Sequence, residues 1–416
     1  MKALQIWSRK LYLKSLTLGL GSTAGLFCLY ESGHRLVATT ITVLGLGTAY
    51  LRWRNATRLP IHSKHAVIVT GCDSGLGYSL ALHCRALDAT VIAGVLQPDG
   101  LGARDLTRNG INVIPLDITR SESIAQFGTE ARELMAQEKL DLRALVNNAG
   151  MMIFGEFEWQ TEEQMRRQVE VNLLGTMGIT KELMPDVRST RSRIIVVTSH
   201  CSSQPLPGVA TYAATKAALS AWTTALRIEV SKYGVEVVCF VPGSFTKDSN
   251  LLSRQSKYFA DMANAMKPEA RSFYGSYFTR YSRYLSEMSR EIAPHKIEDP
   301  LLYQTFDGAL MDVYPRSVYK CEPWRYTFYH LLFSTTPTFV RDRLVEKFVS
   351  MPRWNSSMEE AEESAMVPEL ENVKPYQSDL MPNDETVPSS VKSIPEDVST
   401  QKSDLNNLTK GNNLPR

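Results

Sequence analysis

The 416-residue chain is poor in cysteine. It has six in all, with no CxxC pair and no Cys/His cluster at zinc-ligand spacing. Their scatter (Cys28, Cys72, Cys84, Cys201, Cys239 and Cys321) predicts reduced thiols in a reducing compartment, and neither disulfides nor a structural metal. A surplus of one charge is also lacking. Lys+Arg number 46 against 44 Asp+Glu, a net of +2, so no concentrated basic face for nucleic acid is expected. With 43% hydrophobic and 22% charged residues, the composition excludes a wholly disordered, collagenous or polytopic membrane protein.

The averages conceal uneven ends. No acidic residue occurs before Glu31, whereas Lys2, Arg9, Lys10 and Lys14 precede an apolar run from Ser15 to Tyr30. A second apolar run from Leu36 to Leu51 leads into Arg52, Arg54 and Arg58. Each is slightly short for the roughly 20 residues of a membrane helix. Basic residues outside both runs nevertheless suit a hairpin with both ends in the cytosol. The alternatives are one membrane helix plus a buried one, or an acid-poor mitochondrial presequence. Residues 355–416 carry 12 acidic and 5 basic side chains, leaving 41 basic and 32 acidic before them. Rich in Ser, Pro and Asn, that segment is expected to be a disordered acidic tail. The expected organisation is a membrane-association region over 1–59, an enzyme domain over 60–350 and the tail.

Between the ends, strand-like and helical segments alternate. Ala66–Thr70 runs into Thr70-Gly71-Cys72-Asp73-Ser74-Gly75-Leu76-Gly77 and then a helical pattern. A strand, a glycine turn and a helix N-terminus make a phosphate site, because glycines let the backbone approach and the helix presents free N–H groups. Taken alone, the turn could also be a tight βα connection with no ligand. Further strand-like runs are Thr90–Leu96, Asn112–Leu116, Leu142–Asn147, Ser192–Thr198 and Val235–Val241, with helices about Glu162–Met184 and Val209–Lys232. The alternation predicts an α/β doubly wound parallel sheet with ligand at the strands' C-terminal ends. Polar residues gather there: Asp73, Asp117, Asn147, Ser199 and Thr246.

Tyr212 and Lys216 stand four apart on one helix and share a face. An ammonium beside a phenol favours the phenolate, which can exchange a proton with a substrate oxygen as hydride moves to or from a nicotinamide. Ser199, at a strand end, could hydrogen-bond that oxygen. His200 and Cys201 suggest a nucleophile and base instead, but neighbours on a strand point to opposite faces.

These residues together resemble the short-chain dehydrogenase/reductase family. The match comprises Thr70-Gly-x-x-x-Gly75-x-Gly77, Asn147-Asn-Ala-Gly150, Asn172 in Val-Asn-Leu, Ser199 thirteen residues before Tyr212, Tyr-x-x-x-Lys216, and Pro242-Gly243 with Thr246. It covers about residues 64–247. The opening Thr-Gly-Cys-Asp-Ser-Gly, Phe273-Tyr-Gly-Ser-Tyr and the Arg316–Tyr319 stretch resemble the membrane-associated branch of retinol, hydroxysteroid and 3-hydroxybutyrate dehydrogenases.

The resemblance implies a Rossmann-like fold with a C-terminal helical substrate lid, and roles for named residues. Tyr212 is the general acid/base, Lys216 lowers its pKa and holds the nicotinamide ribose, Ser199 holds the substrate oxygen, and Asn172 positions a water. Gly71, Ser74, Gly75, Leu76 and Gly77 surround the pyrophosphate. Asp117 meets the adenine, Asn147 and Gly150 lie along the nucleotide, and Pro242, Gly243 and Thr246 lie beside the nicotinamide. Gln97 replaces the acidic residue that many NAD-preferring members carry after the second strand. No Arg or Lys stands in the glycine loop to hold a 2′-phosphate, so NAD is expected, with NADP the alternative.

Aromatics between Tyr258 and Tyr284 suit a lipophilic alcohol, steroid- or retinoid-like, although aromatics also serve cores. The Trp324–Val340 stretch could be a packing helix or a membrane-surface contact. Rival functions are a mitochondrial 3-hydroxybutyrate dehydrogenase, with His200, Lys247 or Lys257 holding the carboxylate, and an anchored interaction protein with vestigial catalysis. The expected partners are a lipophilic small molecule, a membrane (endoplasmic reticulum with the enzyme in the cytosol, or alternatively the mitochondrion) and a second copy of the chain through the two long helices.

Overall fold

The computed structural model describes residues 30, 33–243, 245, 248–287, 289, 291–322, 324–349, 351, 352 and 354. Most of the first apolar run, Thr246, Lys247 and the acidic tail lie outside them. The chain divides into two units, Met1–Ser364 and Ala365–Arg416, and all described residues belong to the first.

Runs of Val, Ile and Ala form the strands β1 (His65–Thr70), β2 (Thr90–Val95), β3 (Asn112–Pro115), β4 (Asp141–Asn147), β5 (Arg193–Val197) and β6 (Glu236–Val241). A short β7 (Val318–Lys320), which the sequence pattern does not announce, completes a seven-stranded sheet of order β3-β2-β1-β4-β5-β6-β7. Every pairing is parallel. Parallel strands flanked by helices are buried on both faces, which is why they read as continuous apolar runs. Successive residues point to opposite sides: Val67 and Val69 join a core with Val91, Phe240 and Phe306, while Ala66 and Ile68 join one with Ile92, Leu145 and Ile194. Helices Gly75–Ala86, Leu101–Arg108 and Pro300–Met311 cover the first face, and Ser121–Glu138, Thr176–Glu182 and Ala210–Ser231 the second. Strand order reverses between β1 and β4, so a crevice opens at their C-terminal ends.

The long helix expected at Glu162–Met184 is interrupted. Glu162–Val169 begins with a capping box, in which the Thr161 hydroxyl accepts from Gln164 N. It then widens into a π-helical stretch over Glu170–Gly175 and resumes at Thr176–Glu182. Asn172 sits in the widened stretch, an irregularity common at functional sites. Near the starts of β4 and β5, Arg193 donates to Ala309 O (2.8 Å) and Asp312 O (2.7 Å), and Arg143 donates to Leu310 O (3.1 Å). These bonds satisfy carbonyls at the C-terminus of Pro300–Met311.

The second N-terminal apolar run forms one helix, Arg35–Ala56. Among the described residues no helix is long and apolar enough to cross a membrane, so the expectation of a transmembrane segment gains no support. Leu36, Val43, Leu44 and Leu46 of this helix are exposed. The chain leaving it is fastened by an Arg58–Asp312 ion pair at 3.2 Å.

Candidate active site

A cleft of ≈ 1440 Å³ occupies the crevice. Its floor is the glycine turn after β1. Gly71 takes φ +69°, and a Cβ there would come within 2.7 Å of Ala149 Cα; one on Gly77 would overlap the Gly71 carbonyl. Ser74 is the N-cap of Gly75–Ala86 yet makes no side-chain cap, so the helix's first N–H groups remain available to an anion. Gly71, Ser74, Leu76 and Gly77 line the cleft. Gly75 does not; a Cβ on it would strike Ser249, which does.

At the end of β2, the Asp73 carboxylate accepts hydrogen bonds from Leu96 N (3.0 Å) and Gln97 N (2.8 Å). The Asp73 side chain therefore stands at the strand end beside Gln97, and both residues line the cleft. Asp117, beyond β3, lines it as well. Burial alone would raise its carboxyl. Hydrogen bonds from the Thr119 hydroxyl (2.7 Å) and N–H (3.0 Å), with Arg167 and Arg120 nearby, outweigh that and hold it below the usual carboxylate range.

Of the adjacent asparagines, the structure selects the one not expected. Asn147 is buried and donates to Thr180 Oγ1 at 2.8 Å, away from the cleft. Asn148 lines the cleft and donates to Thr70 O (2.9 Å) and Gly71 O (3.0 Å), tying the glycine turn to β4. Gly150, Pro242 and Gly243 line the cleft as expected; Thr246 lies outside the described residues.

Ser199, Tyr212 and Lys216 meet on one wall. Tyr212 and Lys216 come from Ala210–Ser231, whose packing on β6 leaves both buried. Lys216 Nζ donates to Val197 O at 3.0 Å and lies 5.8 Å from the centre of the Tyr212 ring. Burial pushes the Lys216 amine down to about 8. Burial, with Cys201 adding to it, raises the Tyr212 phenol, and the hydrogen bond with the Ser199 hydroxyl pulls the other way. The spacing leads one to expect the Lys216 ammonium to lower the phenol; in the folded chain the largest influence on the phenol is its desolvation, which raises it.

Asn172 does not line the cleft. Its Oδ1 accepts from Met151 N (2.8 Å), while Nδ2 donates to Met151 O (2.9 Å) and Thr215 Oγ1 (3.0 Å). Thr215 in turn donates to Tyr212 O at 2.7 Å, so Asn172 joins the segment after β4 to the helix carrying Tyr212. Gly150 leaves the space between them, since a Cβ there would lie 3.3 Å from Asn172 Oδ1 and 3.5 Å from Lys216 Nζ.

β5 ends at Val197, and His200–Ser202 is a 3₁₀ turn, so the opposite-face argument does not apply: Ser199, His200 and Cys201 all line the cleft. Burial raises the Cys201 thiol, which removes the thiolate that a nucleophile needs. The remaining wall is largely apolar, with Phe154, Leu206, Leu251, Tyr258, Tyr284 and Phe348. Tyr326 and Tyr329 reach it from the helix Trp324–Thr335, for which the sequence suggests packing or a membrane-surface contact and not a place in the cleft wall. Lys257 is exposed and lines a neighbouring hollow, not this cleft.

An uncapped helix N-terminus over a glycine floor and a buried Ser-Tyr-Lys group define a nucleotide-dependent oxidoreductase site. The short chain dehydrogenase family profile matches residues 65–257. The chain is 33% identical over 308 residues to estradiol 17-beta-dehydrogenase 2 of Rattus norvegicus, covering 71% of this chain and 78% of that protein. It is 29% identical over 281 residues to retinol dehydrogenase 7 of the same species, covering 67% and 87%. It is 34% identical over 196 residues to the rat mitochondrial D-beta-hydroxybutyrate dehydrogenase, covering 46% of this chain and 57% of that protein. The chain belongs to the short-chain dehydrogenase family. It is a CH–OH oxidoreductase of a family that binds NAD(P).

Proposed function

We propose that the protein is an NAD-dependent dehydrogenase that oxidises a secondary or allylic hydroxyl on a lipophilic, steroid- or retinoid-like alcohol. The observation that carries this reading is the convergence of Ser199, Tyr212 and Lys216 on one cleft whose remaining lining is largely apolar and aromatic, with Arg254, Glu291 and Lys347 among the charged exceptions. Tyr212, once its phenol has ionised, takes the proton of the substrate hydroxyl. A nicotinamide held in this cleft would supply the hydride acceptor. Ser199 Oγ accepts from Cys201 N (3.2 Å), and its own proton can be donated to the substrate oxygen. Lys216, with one proton on Val197 O, has further donors for the ribose hydroxyls. Asn172 holds the Tyr212 helix in register, and in this reading its turn positions the relay water. Ser74 and the N-terminus of Gly75–Ala86 receive the pyrophosphate, Asp117 the adenine, and Asn148, Gly150, Pro242, Gly243 and Thr246 the nucleotide beyond it.

The preference for NAD rests on Asp73, whose carboxylate beside Gln97 can accept from ribose hydroxyls and would repel a 2′-phosphate. The test is turnover of steroids, retinols and 3-hydroxybutyrate by the purified full chain with each cofactor. Oxidation of a lipophilic alcohol with NAD is expected; no turnover of any such alcohol overturns the substrate class, and a strong NADP preference overturns the cofactor. A second reading, 3-hydroxybutyrate, draws on Arg254 and Lys347, exposed cations that line the cleft, and the same panel decides it.

Two further assignments belong to this reading. The exposed apolar residues of Arg35–Ala56, with Phe328, Leu331 and Phe339 of the C-terminal helices, support association with a membrane, taken as endoplasmic reticulum; failure to float with lipid vesicles would refute it. Leu174 and Ile228, exposed on the two long helical segments, support a homodimer, which sedimentation tests.

A further inference from the structure

His200 stands beside Ser199 in the cleft, and the lipophilic-alcohol reading gives it no task. Its backbone carbonyl is engaged in the 3₁₀ turn, accepting from Ser203 N (3.1 Å) and Gln204 N (2.9 Å). Neither ring nitrogen has a hydrogen-bond partner among the described residues. An imidazole in a largely apolar wall with both nitrogens unpaired is costly unless a ligand or water meets it.

The ring is also braced from behind. His330, on Trp324–Thr335, lies nearly parallel to it, at 29° with centroids 6.1 Å apart, and Tyr326 flanks it at 6.2 Å. His330 Nδ1 is held by Glu322 Oε2 at 3.2 Å. Glu322 is only 5% exposed, and its other oxygen is buried without a hydrogen-bond partner among the described residues. A buried carboxylate and a second imidazole thus fix the plane of a ring that faces the substrate space. Burial and the neighbouring His330 push the His200 imidazole down to about 4, so near neutral pH it is uncharged, with one donor and one acceptor. Such a group matches an alcohol or ketone oxygen and offers no charge to a carboxylate.

We propose that His200 is a specificity-determining residue that hydrogen-bonds a second, uncharged oxygen of the substrate, distinct from the reacting hydroxyl, with His330 and Glu322 as its positioning residues. This inference rests on the lipophilic-alcohol reading above. It narrows the substrate class to oxygenated lipophiles: a diol or a hydroxyketone rather than a mono-alcohol or a hydroxy acid.

The test uses matched pairs of lipophilic alcohols that differ by one hydroxyl or keto oxygen away from the reacting carbon, assayed with the full-length protein and its His200→Phe, His200→Gln and His330→Leu variants. For at least one pair the wild type should prefer the oxygenated member. His200→Phe should then lower kcat/KM for that member by about tenfold, mainly through KM, and leave the deoxy member within about twofold. His200→Gln, which keeps a donor and an acceptor, should restore most of the loss, and His330→Leu should give a smaller loss confined to the same member. Equal effects of His200→Phe on both members of every pair would overturn the inference while leaving the alcohol reading intact. Absence of wild-type turnover on all pairs would overturn both.

Discussion

Lys216 and Tyr212 lie one helical turn apart, with the amine 5.8 Å from the phenol ring, and their titrations have moved in opposite senses. Burial lowers the amine to about 8 and raises the phenol above its ordinary 10, so the pair rests as a protonated phenol beside a lysine that gives up its proton readily. If Tyr212 is the base in alcohol oxidation, the reactive phenolate becomes scarcer with each unit of falling pH. The kcat/KM for oxidation should therefore climb from pH 7 to beyond pH 9. Tyr212→Phe should reduce it by about 10²–10⁴-fold with the fold unchanged by circular dichroism. A plateau already reached at pH 7.5 would show that the phenol is not held up in the working enzyme.

The same burial makes Lys216 a liability for stability. Its folded-state pKa lies below the unfolded 10.5, so the unfolded chain binds more protons between pH 8 and pH 10.5. The penalty is full below pH 8 and fades as pH rises through 10.5. Lys216→Met should raise stability at pH 7 by on the order of 1 kcal/mol, less the loss of the donor to Val197 O, and the gain should vanish near pH 10.5. Denaturant melts at three pH values measure this, and a variant less stable than wild type at pH 7 refutes it.

Asp73 supplies the third prediction. Asp73→Asn keeps an acceptor for one backbone N–H at the end of β2 and removes the charge; Gln97→Arg adds a cation at the same corner. The double variant should move the ratio of kcat/KM values towards NADP by at least about tenfold, since a like charge becomes an opposite one. Unchanged ratios would mean that the ribose does not meet Asp73.

How much of this was legible in sequence depends on what each residue's position demands. Six strands showed themselves because buried parallel strands are continuous Val/Ile runs. β7 did not, because three residues with only Tyr319 buried carry no such run. The glycine floor and the Tyr212–Lys216 face follow from local geometry. Which of Asn147 and Asn148 enters the cleft depends on the face on which β4 ends, decided by the helix bearing Thr180. The spacing of Tyr212 and Lys216 reveals a neighbouring cation but not the desolvation that raises the phenol. Strand alternation, the argument against a His200–Cys201 pair, fails because the strand stops at Val197. Its partners His330 and Glu322 lie more than a hundred residues downstream, beyond the reach of any local pattern.

Gln255 offers a separate test of how the cleft wall is built. Fully buried at the start of the helix Gln255–Ala265, it accepts from Phe154 N at 2.9 Å and donates to Phe154 O at 2.7 Å, as a neighbouring strand would. Phe154 and Tyr258 both line the cleft, so this amide joins two of its walls. Gln255→Leu is close in size but leaves the Phe154 N–H and C=O without partners, which should cost about 2–3 kcal/mol. The central sheet does not depend on that bond, so the variant should fold with a lower Tm. Substrate affinity should weaken more than the chemical step, with KM for a lipophilic alcohol rising several-fold and kcat changing by less than about twofold. A fall in kcat at unchanged KM would place Gln255 with the Tyr212 machinery instead of with the wall.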